Sequence, residues 1–361
     1  MQLTFEQEQV IAYSALSEPG DALAQLIFQL RGPAAIEEYR RGLAKSLWIE
    51  QIAELAPEYL QSVPALLERF SLRLPKIHVP TLVERAIRWN ASPVFPPAMP
   101  QTWSRFQDLG LHRPYLLWIA GNPEILEQDG NAVVGTRTPS ARGIARARAL
   151  VRQLGAPVIS GGASGIDACA HRAAIDFSLP TVAFMAGGID RAYPQENWPL
   201  FHDIVRAGGA LVSELVPFTA PTRFRFLARN RLIAASATAT FVVEAGYRSG
   251  SKNTANHAKN LGREVYAIPT GWSEKTAQGC NVMIREGLAQ PWHLGRRIEV
   301  EPTYPQKRVL DAVREGANSA AEIAAESGLS ITEVKAEIRA LELNGISVFG
   351  AGKSLGERLS A

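Results

Sequence analysis

Cysteine is nearly missing: Cys169 and Cys280 are the only two in 361 residues, and more than a hundred positions separate them. Neither sits in a CxxC pair or beside a histidine at ligand spacing, so the sequence offers no disulfide framework and no zinc site. Both read as small buried apolar residues. Long hydrophobic runs are also lacking, and none reaches the ~20 residues that a membrane span needs. The opening MQLTFEQEQV has neither the basic start nor the apolar centre of a secretory signal. A cytoplasmic protein with no membrane partner is expected. No GxGxxG occurs, which disfavours a dinucleotide dehydrogenase, and no GxxxxGK[ST] occurs either. Gly352-Lys353-Ser354 imitates the end of a P-loop, but Ser347 stands where its first glycine belongs.

Overall charge is close to balance, at +3, and 46% hydrophobic against 20% charged residues is globular composition. The length predicts two or three domains. Charge is unevenly placed: residues 132–231 hold twelve Arg and no Lys against six Asp or Glu. A polyanion would be drawn to that stretch, and the planar guanidinium suits both phosphate contact and base stacking.

Apolar positions at three- and four-residue spacing, such as Leu23, Leu26, Ile27 and Leu30, predict a small helical domain over 1–90. Four prolines in the ten residues 91–100 then predict a linker, taken as 91–112. Over 113–297 short apolar runs precede glycine-rich turns and helical stretches. The runs are Ala132–Val134, Pro157–Ser160, Thr181–Met185, Ala210–Val212, Ala239–Val243 and Glu264–Ile268. This alternation predicts an α/β fold, a Rossmann-like parallel sheet core, with ligands at the C-terminal strand ends. Helices over 305–315, 319–327 and 330–344, with Gly328 in the turn, predict a winged-helix-like domain at 303–361 whose hairpin follows Gly345.

Three strand ends carry glycine turns: Val133-Val134-Gly135-Thr136-Arg137, then Ser160-Gly161-Gly162-Ala163-Ser164-Gly165-Ile166-Asp167, then Ala186-Gly187-Gly188-Ile189-Asp190. Turns without Cβ atoms let backbone N–H groups approach a phosphate, and a helix N-terminus adds partial positive charge. A fourth turn, Glu244 to Ser251 with Ser249 and Gly250, predicts another helix start at the same edge. Arg223-Phe224-Arg225-Phe226-Leu227-Ala228-Arg229-Asn230-Arg231 interleaves cations with rings, the pairing that holds single strands. The same alternation also fits an extended segment with Phe224 and Phe226 in a core and the arginines solvated. Glu244, Asp167 and Asp190 are expected to cap helices or hold arginines, and no catalytic residue, metal or cofactor is expected.

Taken in order, VVGTR, SGGASGID with AHR, AGGID with YPQEN, SEL, RFRFLARNRLIA, VVEAGYRSGS, GREVYAIPTG and GCNVMIREG resemble the successive motifs of the DprA/Smf family of DNA-processing proteins. The resemblance implies a SAM-like helical N-terminus and a dimeric, non-enzymatic mediator. Such a protein binds and protects incoming single-stranded DNA and loads the RecA recombinase during natural transformation. Carried onto this chain, the DNA groove would use Arg137, Ser160, Gly161, Gly162, Arg223, Phe224, Arg225, Phe226, Arg229, Asn230, Arg231, Ser249 and Gly250. One rival is a nucleotide-processing hydrolase of the LOG, or lysine-decarboxylase-like, type. Its PGGxGTxxE turn is absent from Glu244-Ala245-Gly246-Tyr247-Arg248-Ser249-Gly250. Another is a winged-helix transcription regulator, which would bind a specific duplex.

Overall fold

Valine, isoleucine and alanine runs bounded by glycine build a mixed sheet that every later feature leans on. The computed structural model describes residues 2–343 and 348, apart from 192, 248, 272, 273, 275, 276 and 295–302. Six helices come first: α1 (Phe5–Leu16), α2 (Ala22–Arg31), α3 (Ala34–Arg40), α4 (Ala44–Leu55), α5 (Val63–Arg73) and α6 (Val79–Arg88). Then follow β1 (Ala91–Val94), α7 (Pro100–Gln107), β2 (Leu117–Gly121), β3 (Asn131–Val134), α8 (Ala141–Leu154), β4 (Val158–Ser160), α9 (Ile166–Asp176) and β5 (Thr181–Phe184). The unit continues with α10 (Trp198–Arg206), β6 (Ala210–Ser213), α11 (Arg223–Ser236), β7 (Ala239–Val242), α12 (Ser251–Asn260), β8 (Glu264–Ala267), α13 (Gln278–Arg285) and β9 (Gln290–Pro291).

The strand order is β1-β2-β6-β5-β4-β3-β7-β8-β9. β1, β2 and β6 pair antiparallel, and β6 through β9 run parallel. All six runs expected as strands are strands. Alternate residues feed opposite faces: Ala132 and Val134 pack with α7, α11 and α12, while Val133 packs with α8 and α9. This period of two makes three layers of a doubly covered sheet. Fully buried Phe184 and Phe201 each contribute ~1.5–3 kcal/mol of burial.

The expected linker is the first departure. Residues 91–94 form edge strand β1, and Trp103 and Phe106 of α7 are buried in the sheet's own core. Pro93 is tolerated because an edge strand can spare a ladder donor. The expected separation of 1–90 fails for the same reason. Tyr13, Trp48 and Phe70 centre a helical core, but Ile11, Leu82 and Ala86 pack with Trp118 and Ala183 of the sheet. Met1–Leu294 is therefore one compact unit, and Gly295–Ala361 is another.

In the second unit, α14 (Tyr304–Arg314), α15 (Ala320–Ser327) and α16 (Ile331–Leu343) surround Val309, Ile323, Val334 and Ile338. Gly328 ends α15 at a φ of +63°, and the Ser330 hydroxyl accepts from Glu333 N–H at the start of α16. The hairpin expected after Gly345 lies outside the described residues. Among the described residues, no helix is long and apolar enough to cross a membrane.

Candidate nucleic-acid interface

β3 is the first of the parallel strands, and β7 joins its other side after the chain has passed through β4, β5 and β6. The order reverses between these two neighbours, which is where an open α/β sheet binds its ligand. Their C-terminal ends are tied together by Thr136 N–H, which donates to Glu244 O at 2.7 Å. α9 starts directly beneath, with Ile166 N–H on Thr136 O at 3.1 Å. Gly165 permits that approach: its φ is +86°, and a Cβ there would lie 2.3 Å from Thr136 O. Above the junction opens a cleft of about 470 Å³, into which Thr136, Arg137, Phe226, Asn230, Ser249 and Ser251 face.

α11 supplies one wall. Thr222 caps it, its hydroxyl accepting from Arg225 N–H at 3.3 Å, so the RFRF segment is a helix and not the extended segment that alternation allowed. Arg223 belongs to its first turn. Helical spacing then sorts the residues, and Phe226 and Asn230 line the cleft together. The Arg137 guanidinium carbon sits 5.0 Å from the Phe226 ring centre, and the Tyr193 ring lies 5.4 Å from it on a tilted approach. A cation and two rings thus form the rim. Phe224 is 57% exposed and Arg223 is exposed as well, both in the first turn of α11 and outside the lining of the cleft.

The remaining expected site residues work inside the protein. Ser160 is fully buried and donates its hydroxyl to Val133 O at 2.6 Å. Gly161 offers no free peptide, because its N–H goes to Asp167 Oδ2 at 3.1 Å and its carbonyl accepts from Arg229 at 2.7 Å. Gly162 accepts from Asn197 Nδ2 at 3.0 Å, and its missing side chain makes room for Phe201. The glycine turn expected to hold phosphate is therefore closed by its own neighbours. Arg225 binds Glu18 and Ala220 O. Arg231 clamps both Glu214 oxygens at 2.6 Å and donates to His112 O. Neither Arg225 nor Arg231 faces the cleft.

Arg229 is intermediate, since it forms part of the cleft floor but is 95% covered and also donates to Phe184 O. Burial pulls its guanidinium down to about 10, against the opposing charge of Asp167. Burial likewise raises the Asp167 carboxyl, although Arg229 and the Gly161 and Ala163 N–H groups oppose the rise. His171, one turn further along α9, is pulled down to about 3 by burial and then by Arg229. Its Nδ1 meets Thr181 Oγ1 at 2.7 Å, and that hydroxyl donates to Val158 O. The ring is therefore neutral, with its proton on Nδ1. For Glu18, burial works upward, but hydrogen bonds from Arg225 and Arg73 outweigh it and hold the carboxyl below its ordinary value.

Glu244 is fully buried and accepts the Ser140 N–H and hydroxyl, so it secures the start of α8 as a capping acid. Ser249 and Gly250 do reach the cleft, where the Ser249 and Ser251 hydroxyls meet at 2.7 Å at the start of α12. Tyr193, Thr136 and Thr254 are rim and wall residues that sequence reasoning passed over. Tyr193 was visible in the YPQEN motif, but only the fold sets it against Phe226. Among the described residues no cluster of three or more His, Cys, Asp or Glu could hold a metal ion.

This arrangement presents a cation and two aromatic rings at the mouth of the cleft. Residues 93–299 match the family model of DNA recombination-mediator protein A. The putative DNA processing protein DprA of Mycobacterium tuberculosis is 38% identical over 261 residues, 65% of this chain and 67% of that protein. DNA processing protein DprA of Streptococcus pneumoniae is 37% identical over 176 residues, 48% of this chain and 62% of that one. Its X-ray structure aligns with a TM-score of 0.60 at 28% identity, covering 83% of this chain and 99% of that chain. A Helicobacter pylori DNA processing protein A, described for its unique single-stranded DNA binding mode, aligns with a TM-score of 0.50 at 27% identity, covering 57% of this chain and 92% of that one. With more than half its length matched, this chain belongs to the family of DNA recombination-mediator protein A, a family of mediators and not of enzymes.

Proposed function

We propose that the cleft between β3 and β7 binds single-stranded DNA without chemical turnover. The observation that carries this reading is the Arg137–Phe226–Tyr193 rim above a floor of hydroxyls and buried Arg229. Arg137 answers backbone phosphate, and exposed rings answer base faces of any sequence. A duplex hides those faces. The similarity to the Helicobacter pylori protein, described for its single-stranded DNA binding mode, supports the same ligand. The loading of a RecA-type recombinase onto the strand, a homodimeric state and a cytoplasmic location belong to the same proposal and are supported by family membership alone. The proposed binding residues are Arg137, Arg223, Phe224, Phe226, Asn230, Ser249 and Gly250.

Titration of the full chain with polythymidine and with a duplex of equal length tests the reading. Preference for the single strand, falling with added salt, is the expected result. Equal or tighter duplex binding would remove it.

A further inference from the structure

A second aromatic and cationic station lies beyond the cleft rim. Phe218, in the loop between β6 and α11, holds a φ of +68° and is 45% exposed. For a bulky aromatic this left-handed backbone is an outlier, of the kind that persists where neighbours over-determine it. The neighbour responsible is Asp190. Its fully buried carboxylate accepts Phe218 N–H at 2.9 Å and Arg85 Nε at 2.9 Å, with Arg191 Nε at 3.9 Å. Arg85 is on α6, and its guanidinium carbon stands 5.2 Å from the Phe218 ring centre and 5.8 Å from that of Trp89. Arg88 and Arg191 are exposed nearby, so Arg85, Arg88 and Arg191 outnumber Asp190 and Glu84.

The station is joined to the cleft. The turn after β5 carries Asp190 and Arg191 and then Tyr193, the residue that packs on Phe226. Gly188 N–H donates to Thr219 O at 2.8 Å and fastens the Phe218 loop to that turn. The same turn thus holds Tyr193 against Phe226 at one end and anchors the Phe218 loop through Asp190 and Gly188 at the other. A ring with a guanidinium behind it and solvent before it is a place for a base, and surplus arginines are a place for the phosphates beside it.

We propose that Phe218, backed by Arg85, is a second base-stacking position, which carries a single strand from the cleft onto the helical layer at α6. The proposal rests on the reading of the cleft as a single-strand site. It assigns Asp190 a positioning role: a buried acid that sets a ring and two cations for DNA without meeting the strand.

Phe218→Gly tests it cleanly, because glycine accepts the positive φ and the fold should melt at the wild-type temperature or above. Polythymidine from about 6 to about 30 nucleotides, titrated into the full chain, separates a strand confined to the cleft from one that runs on. On the longest strands Phe218→Gly should bind at least about fivefold more weakly than wild type, and Phe218→Tyr should restore most of the loss. On the shortest strands all three should bind alike. Equal affinity of wild type and Phe218→Gly at every length overturns the extension and leaves the ring as a surface for a protein partner. An equal loss at every length also overturns it. Absence of wild-type binding at any length overturns the cleft reading itself, which distinguishes the two failures.

Discussion

Arginines at the cleft mouth and arginines in the seam behind α11 do opposite work. Arg137 and Arg223 are exposed and have no carboxylate partner among the described residues. Arg225 and Arg231 are closed by Glu18 and Glu214, and the Arg231 pair is buried, with side chains 5% and 8% exposed. What separates the two groups is tertiary surroundings: the seam arginines meet a carboxylate brought from elsewhere in the fold, and the exposed ones do not. A buried guanidinium that has spent its donors is part of the fold, whereas an unpaired one at a rim is available to an anion.

That contrast is broken most severely by Arg231→Ala, which leaves Glu214 buried without its bidentate partner. A loss of about 3–5 kcal/mol of stability is expected in urea unfolding. A stable variant with weakened DNA binding would instead move Arg231 to the mouth. Phe226→Ala probes the other side: single-strand affinity should fall by ~1–3 kcal/mol with little change in melting temperature. Lost stability at unchanged affinity would make Phe226 a core residue only. The third test is below the floor. His171 titrates near 6.5 when unfolded and near 3 when folded, so the unfolded chain holds more protons between these values. Stability should thus fall as pH drops below 6.5, by up to about 1.4 kcal/mol per pH unit. His171→Gln should flatten that slope between pH 6.5 and 5 while single-strand affinity at pH 7 stays unchanged. A slope identical to wild type would show that the ring is not held neutral.

The parallel core was legible because six of its seven strands are apolar runs ended by a turn, and period two is visible at that length. β1 was hidden by Pro93 within a proline cluster, and nothing local distinguishes a linker from an edge strand that another strand recruits. β9 has only two residues, too few for any pattern. The cleft was half legible. Arg137 and Phe226 were named from residue type, and they prove to be in contact. Arg225, Arg229 and Arg231 were named on the same grounds and proved internal, because Glu18, Gly161 and Glu214 reach them only through tertiary folding. A local clue did exist: Thr222 before the RFRF run is a helix cap, and with it the 3.6-residue period would have placed Phe226 and Asn230 on one face. The glycine turn at 161–162 misled for a related reason. Glycine there serves close packing under Arg229 and Phe201, and no local signal tells that need from phosphate binding.

The most direct test of the division between mouth and seam is the salt dependence of polythymidine binding, measured for wild type, Arg137→Ala, Arg223→Ala and Arg225→Ala. Each exposed arginine that meets one phosphate should take about 0.7 from the magnitude of the log–log slope, whereas Arg225→Ala should keep the wild-type slope. Wild-type slopes in both mouth variants, or a reduced slope in Arg225→Ala alone, would contradict the account.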